Sequence, residues 1–169
     1  MPTPEDLTSF LSCAQELGAL EARPVPPGCV VTAAWVRLKC RYGCSGYGSN
    51  LCCPPHSPTP DETRRVLDCY QRAILLHFGP QAHVKPVVVA LERELFLAGF
   101  YKAFAYGAGP CELCESCSLD RCTHPDEARP AMEASGIDVF ATARAAGFPI
   151  EVVAGYDSPQ NYYGLVLVD

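Results

Sequence analysis

The chain has 169 residues, 49% of them hydrophobic, and a net charge of −6, which suits one domain spanning 1–169 with a real core and leaves too little for two. The acidic balance excludes a nucleic-acid-binding surface, which needs a basic patch, and the longest apolar runs, Val87–Leu91 and Ile74–Leu76, are far too short to span a membrane. The odd total of eleven cysteines rules out a full set of internal disulfides, and the opening residues lack both the basic and the apolar part of a secretory signal, so a soluble, cytoplasmic protein with reduced, metal-ligating thiols is expected.

Residues 4–20 place Leu7, Phe10, Leu11, Ala14 and Leu17 at helical spacing behind the acids Glu5 and Asp6, predicting a helix. Cys13, beside that stripe, reads as a small core residue. Arg23–Gly28 holds three prolines and reads as an irregular connector. Val30–Leu38, opening on β-branched residues and carrying Trp35, reads as a strand that delivers the chain to Cys40. From Cys40 to Pro60, three glycines and four prolines exclude a helix or a central strand. A loop of that length inside a domain needs something to order it, and its four cysteines supply a reason.

Thr59-Pro60-Asp61-Glu62 is a helix start, with an N-cap hydroxyl, a proline in the first turn and an acid three residues on. The helix is expected to continue through Arg64, Val66, Leu67 and Tyr70, with Cys69 in a structural role. Ala73–Phe78 reads as a strand ending at Gly79-Pro80. Residues 86–100 begin with valines yet carry Leu91, Leu95 and Ala98 at helical spacing, so a helix is predicted. Lys102–Gly107 reads as a strand leading into a second cysteine loop, Asp126–Ala134 as a turn or short helix broken at Pro130, and Ile137–Ala146 as a helix closed by Gly147. Ile150–Ala154 and Tyr162–Val168 read as a terminal hairpin. Together these give an α/β or α+β domain: a central mixed sheet of about four to six strands, flanked by helices, with two cysteine-rich loops each leaving a strand.

The strongest chemical signal is Cys111, Cys114, Cys117 and Cys122, at gaps of two, two and four residues. A short loop spaced in this way offers one sulfur to each differently directed iron corner of a 4Fe-4S cluster. Zinc wants four ligands converging on one atom, usually from two separate knuckles, and is the alternative. His124 reads as a donor near a cluster sulfur or as an exposed side chain, and Arg121, Arg129 and His124 as groups that tune the cluster's potential. In the first loop, Cys40 and Cys44 suit two corners of a second cluster, and Cys53, followed by Pro54, suits a third. Adjacent residues in extended backbone face opposite ways, so Cys52 is held in reserve; Cys29 and Cys122 are the other candidates to complete that site. The glycines at 43, 46 and 48 open no helix and are rejected as a phosphate loop. No Ser-His-Asp, His-Glu-x-x-His or paired-carboxylate constellation stands out.

Two blocks carry a resemblance. The first is Cys40, Cys44, Tyr47-Gly48 and Cys53-Pro54-Pro55. The second runs from Gly109 to Val139 and includes the four cysteines, His124-Pro125, Arg129-Pro130, Met132-Glu133-Ala134 and Gly136-Ile137-Asp138-Val139. From about Trp35 onward the chain resembles a family of uncharacterised prokaryotic, cysteine-rich, predicted metal-binding proteins. The resemblance implies a cysteine-bound metal, in iron–sulfur form, with no settled reaction. The doubled Cys52-Cys53 departs from the single cysteine that precedes the proline pair in that pattern. The expected function is an iron–sulfur protein with one or two 4Fe-4S clusters that passes single electrons to a redox partner protein. A cluster-dependent enzyme with an open iron site and a zinc-stapled interaction module are the alternatives.

Overall fold

In the computed structural model, which describes residues 6–169, the chain runs α1 (Thr8–Glu16), β1 (Glu21–Val25), α2 (Val36–Gly43), α3 (Pro60–Leu67), β2 (Ala73–Phe78), α4 (Val84–Leu97), β3 (Phe104–Tyr106), α5 (Val139–Ala145) and β4 (Tyr162–Leu167). The strands form one sheet in the order β1-β2-β4-β3, and every neighbouring pair is antiparallel. The architecture is thus α+β, with an antiparallel sheet where a mixed one was expected. The reason lies in β4. β2, α4 and β3 make a crossover whose two strands run in the same direction, but β4 inserts between them in the opposite sense, so the parallel pair never touches.

The strands alternate cleanly between two cores. Ile74, Leu76 and Phe78 of β2 and Val166 of β4 face α1 and α4, where Phe10, Val88, Leu91 and Leu95 cover them. Ala73 and Leu75, with Tyr163, Leu165 and Leu167, face the other way onto Leu67, Met132, Ile137 and Ala143. Cys13 packs against the first core. The helix expected over 4–20 covers Thr8–Glu16; Glu5 lies outside the described residues, and the Asp6 carboxylate accepts from the Thr8 N–H at 2.8 Å.

Three expected elements differ. Arg23–Val25, read as connector, completes β1, because an edge strand tolerates the missing N–H of Pro24. Val30–Leu38, read as a strand, instead turns into α2 at Val36: Ala33-Ala34-Trp35 interrupts the β-branched run, and Ala33 and Ala34 accept the first helical-type bonds, from Val36 and Arg37 at 3.2 Å. Ile150–Ala154 makes no hairpin, since β2 and β3 already occupy both edges of β4. The helix started by the Thr59–Glu62 capping box ends at Leu67, short of Tyr70, leaving Cys69 exposed beyond it.

The turn through residues 133–138 joins these parts. Gly136 C=O accepts from Ala33 N–H at 2.9 Å, and Val31 C=O accepts from Asp138 N–H at 2.8 Å. The Ser57 and Thr63 hydroxyls donate to the carbonyls of Ala134 at 2.5 Å and Ser135 at 2.7 Å. Gly136 itself sits at φ +77°, and a Cβ there would lie 2.3 Å from Pro60 Cγ and 2.9 Å from Pro60 Cα. Gly136→Ala is therefore expected to cost about 2–4 kcal/mol, from left-handed backbone and overpacking together. Urea unfolding of the two proteins measures it, and a loss below about 1 kcal/mol would contradict the rigid contact.

Candidate metal centres

The helical form of α2 sets the first group of thiols. Val36, Cys40 and Cys44 follow one another at four-residue steps, so they fall on one helical face at and just beyond the C-terminus of α2. The chain then folds back. Gly48 N–H bonds Pro54 C=O at 2.7 Å, the Asn50 side chain accepts from Cys52 N–H at 3.0 Å, and Asn50 C=O accepts from Cys53 N–H at 3.2 Å. This asparagine turn brings Cys53 beside Cys44: a Cβ placed on Gly46 would lie 3.5 Å from both sulfurs. Cys40 Sγ lies 4.0 Å from Glu133 C=O. Burial first, then the neighbouring Cys44 and Glu133, pushes the Cys40 thiol up.

Cys52, the adjacent residue, turns the other way. It shares a small pocket of about 20 Å³ with Cys111, Cys114, Cys117 and Cys122. Its thiol is pushed up to about 12, chiefly by burial and next by Cys111. Five thiols thus meet in one place, two loops contributing. Cys114 Sγ lies 3.4 Å from His124 Nδ1, and His124 N–H donates to Cys122 Sγ at 3.4 Å. Arg121 lines the same pocket. Cys122 stays with its own loop, and Cys29, exposed at the end of the short turn Pro27–Cys29, lines neither pocket. All eleven cysteines are free thiols.

The second loop leaves β3 as expected, whereas the first leaves a helix. Its two ends are clasped together: Gly107 N–H bonds Pro130 C=O, and Met132 N–H bonds Gly107 C=O, both at 2.9 Å. One flank of α4 holds this clasp. Glu92 receives a bidentate pair of bonds from Arg129, at 2.6 and 2.8 Å, and a third from Ala105 N–H at 2.7 Å. Lys85, seven residues earlier and so on the same flank, donates to Pro110 C=O at 2.5 Å. Burial lowers the Lys85 pKa, while Cys111, Cys52 and Cys53 oppose the shift, so this ammonium stands between the two thiol groups. Glu133 extends into the cavity beside Cys40 and keeps exposed surface there, but protein crowds it closely enough that desolvation raises its carboxyl pKa.

Lys85, Glu92 and Glu133 were not legible as site residues. Lys85 and Glu92 look like ordinary polar positions beside the apolar stripe of α4, and only the i,i+7 relation between them hints at a shared flank. Arg129, expected to tune a cluster, is engaged by Glu92.

The thiol-rich pocket and the three-thiol group each offer soft sulfur donors of the kind that iron–sulfur clusters and zinc take. Among the described residues, no three His, Cys, Asp or Glu side chains close on a point that would hold a single ion, and no helix is long and apolar enough to cross a membrane. Residues 23–168 match the model of a family described as predicted metal-binding protein (DUF2284). No curated protein and no solved structure matches the chain.

With side-chain exposures of only 11% and 13%, the Arg129–Glu92 pair makes its own test. Glu92→Ala leaves the Arg129 charge without its carboxylate, with Nε, Nη2 and a backbone N–H unpaired while Nη1 keeps the Pro125 and Ala128 carbonyls, and is expected to cost about 3–5 kcal/mol. The double replacement Glu92→Leu with Arg129→Met should recover most of that loss in the same urea titration, though not the bond to Ala105. A double variant as unstable as Glu92→Ala alone would refute the charge-pair account.

Proposed function

Because the chain belongs to this predicted metal-binding family, we propose that its two thiol groups hold two iron–sulfur clusters and that the protein transfers single electrons to a redox partner protein. The observation that carries this reading is the partition of Cys52 and Cys53. One neighbour joins Cys111, Cys114, Cys117 and Cys122, and the other joins Cys40 and Cys44, so two centres are separated by a single peptide unit. Cys111, Cys114 and Cys117 supply three corners of a 4Fe-4S cluster, and Cys122 or Cys52 the fourth. When bound, such a cluster stores and releases one electron at a potential set by its surroundings. Lys85 adds positive charge between the centres, and His124 places a ring nitrogen beside a ligand sulfur, both of which bear on that potential.

The loop over this centre presents Leu113 and Leu119 among acidic residues on the surface. That is a suitable face for the brief, small-area contact that electron-transfer proteins make. A reducing, cytoplasmic setting accords with eleven free thiols.

A second reading has its own observation. The Cys40, Cys44 and Cys53 group offers three thiols rather than four or five, and lines a cavity of about 930 Å³. A cluster held there would keep one corner for a small substrate, as in a cluster-dependent enzyme.

Iron and acid-labile sulfide assays on anaerobically purified protein test the proposal. Cys114→Ala and Cys53→Ala are each expected to remove about half of the iron, with different visible and paramagnetic signatures lost. A colourless protein with stoichiometric zinc would instead establish the interaction-module reading.

A further inference from the structure

We propose that the cavity beside Cys40, Cys44 and Cys53 is a binding site for a small aromatic carboxylate. Its volume of about 930 Å³ lies in the upper part of the range of small-molecule pockets, roughly 300–1,000 Å³. By contrast, the other thiol group encloses about 20 Å³, which leaves no room for an organic molecule. The two centres therefore differ in kind.

The walls are aromatic and incompletely covered. Trp35 is 48% exposed, and Tyr47 and Tyr162 are each 37% exposed; all three line the cavity with Phe140. Flat rings with free faces in a concavity are surfaces that an aromatic ligand would cover, gaining both burial and ring-to-ring contact. The charged groups narrow the class further. Asp138 caps α5 by accepting from Ala141 N–H at 2.9 Å, and Arg144 lies 3.8 Å from Glu151 and over the Phe140 ring. Lys39 has no carboxylate partner among the described residues. Glu133, the remaining wall carboxylate, sits at the thiol end, where its own carbonyl lies 4.0 Å from Cys40 Sγ. Lys39 precedes Cys40 on α2 and is turned about 100° away from it around the helix. An anionic group on the ligand would thus meet Lys39 while the ring lies against Trp35 and Tyr47.

That such a ligand is the substrate of the three-thiol centre rests on the iron–sulfur reading; that it binds does not. The chain contains one tryptophan, so Trp35 reports occupancy directly. Purified protein, with its iron and zinc content measured on the same sample, is titrated with phenylacetate, phenylacetamide and phenethylamine while Trp35 fluorescence is followed. Phenylacetate is expected to give a saturable change. Binding should weaken about tenfold with the amide and in Lys39→Gln, and return in Lys39→Arg. No saturable change with phenylacetate, undiminished binding by Lys39→Gln, or tighter binding of phenethylamine would each overturn the proposal. Saturable phenylacetate binding by a zinc-loaded protein would support the site while removing the iron–sulfur reading. An iron-loaded protein that ignores phenylacetate would overturn the site alone.

Discussion

A hydrogen-bonded turn, in which the Asn50 C=O accepts from Cys53 N–H at 3.2 Å, sends the side chains of Cys52 and Cys53 to different pockets, and the layout of this protein follows from that dipeptide. Asn50 turns the chain so that Cys52 and Cys53 are both buried, yet each lies in a different pocket. Two groups of thiols that belong to remote loops are thereby tied together by a single peptide bond. Neither loop has regular structure to hold it, so each depends on the other. Pro110 of the second loop packs 3.4 Å from where a Cβ on Gly46 of the first would stand, and the Lys85 ammonium is shared between the two groups.

The sheet supplies the frame on which this juncture hangs. Four apolar residues of α4 are buried against β2 and β4, while its Lys85–Glu92 flank, one heptad long, faces the loop that leaves β3. Hydrophobic burial thus fixes the helix, and the helix in turn presents two charges at fixed points. Glu92 is expensive to bury alone and is offset by three hydrogen bonds. Lys85 runs so close over Gly107 that a Cβ there would lie 2.5 Å from Lys85 Cγ, so glycine is what lets the helix flank approach the base of the loop.

What could be read in the sequence was what depends on local chemistry. The Thr59–Glu62 capping box, the apolar β2 run, the helical spacing of Leu91 and Leu95, and the helix that ends ahead of Gly147 all appear where spacing placed them. The misread elements are those whose state is decided elsewhere. Pro24 is acceptable only because β1 lies at an edge, and Ile150–Ala154 loses its partner only because β3 reaches β4 first. Reading Val30–Leu38 as a strand had the largest consequence, because it hid the meaning of the Cys40-to-Cys44 interval. Four residues are one helical turn, so that interval is a helix-face signature and not a loose loop spacing. The split of Cys52 from Cys53 was expected from extended backbone, whereas the chain makes it through the turn at Asn50; the destination of Cys52 was not legible, since its neighbours lie some sixty residues further along the chain.

The contrast between the two groups bears on why one chain would carry both. The pocket of five thiols is small and four of its thiols keep some exposed surface, so it lies near the surface without space beside it for an organic molecule. The three-thiol group forms part of a wall, with aromatic rings, a lysine and carboxylates sharing the same space. On the iron–sulfur reading the first suits entry of electrons and the second their use, and the Cys52–Cys53 peptide unit is the shortest covalent route between them. Stability alone would not require this division, because either loop could be stapled by a single set of four thiolates. On that reading, the surplus of thiols in one group and the deficit in the other argue for a working difference between them.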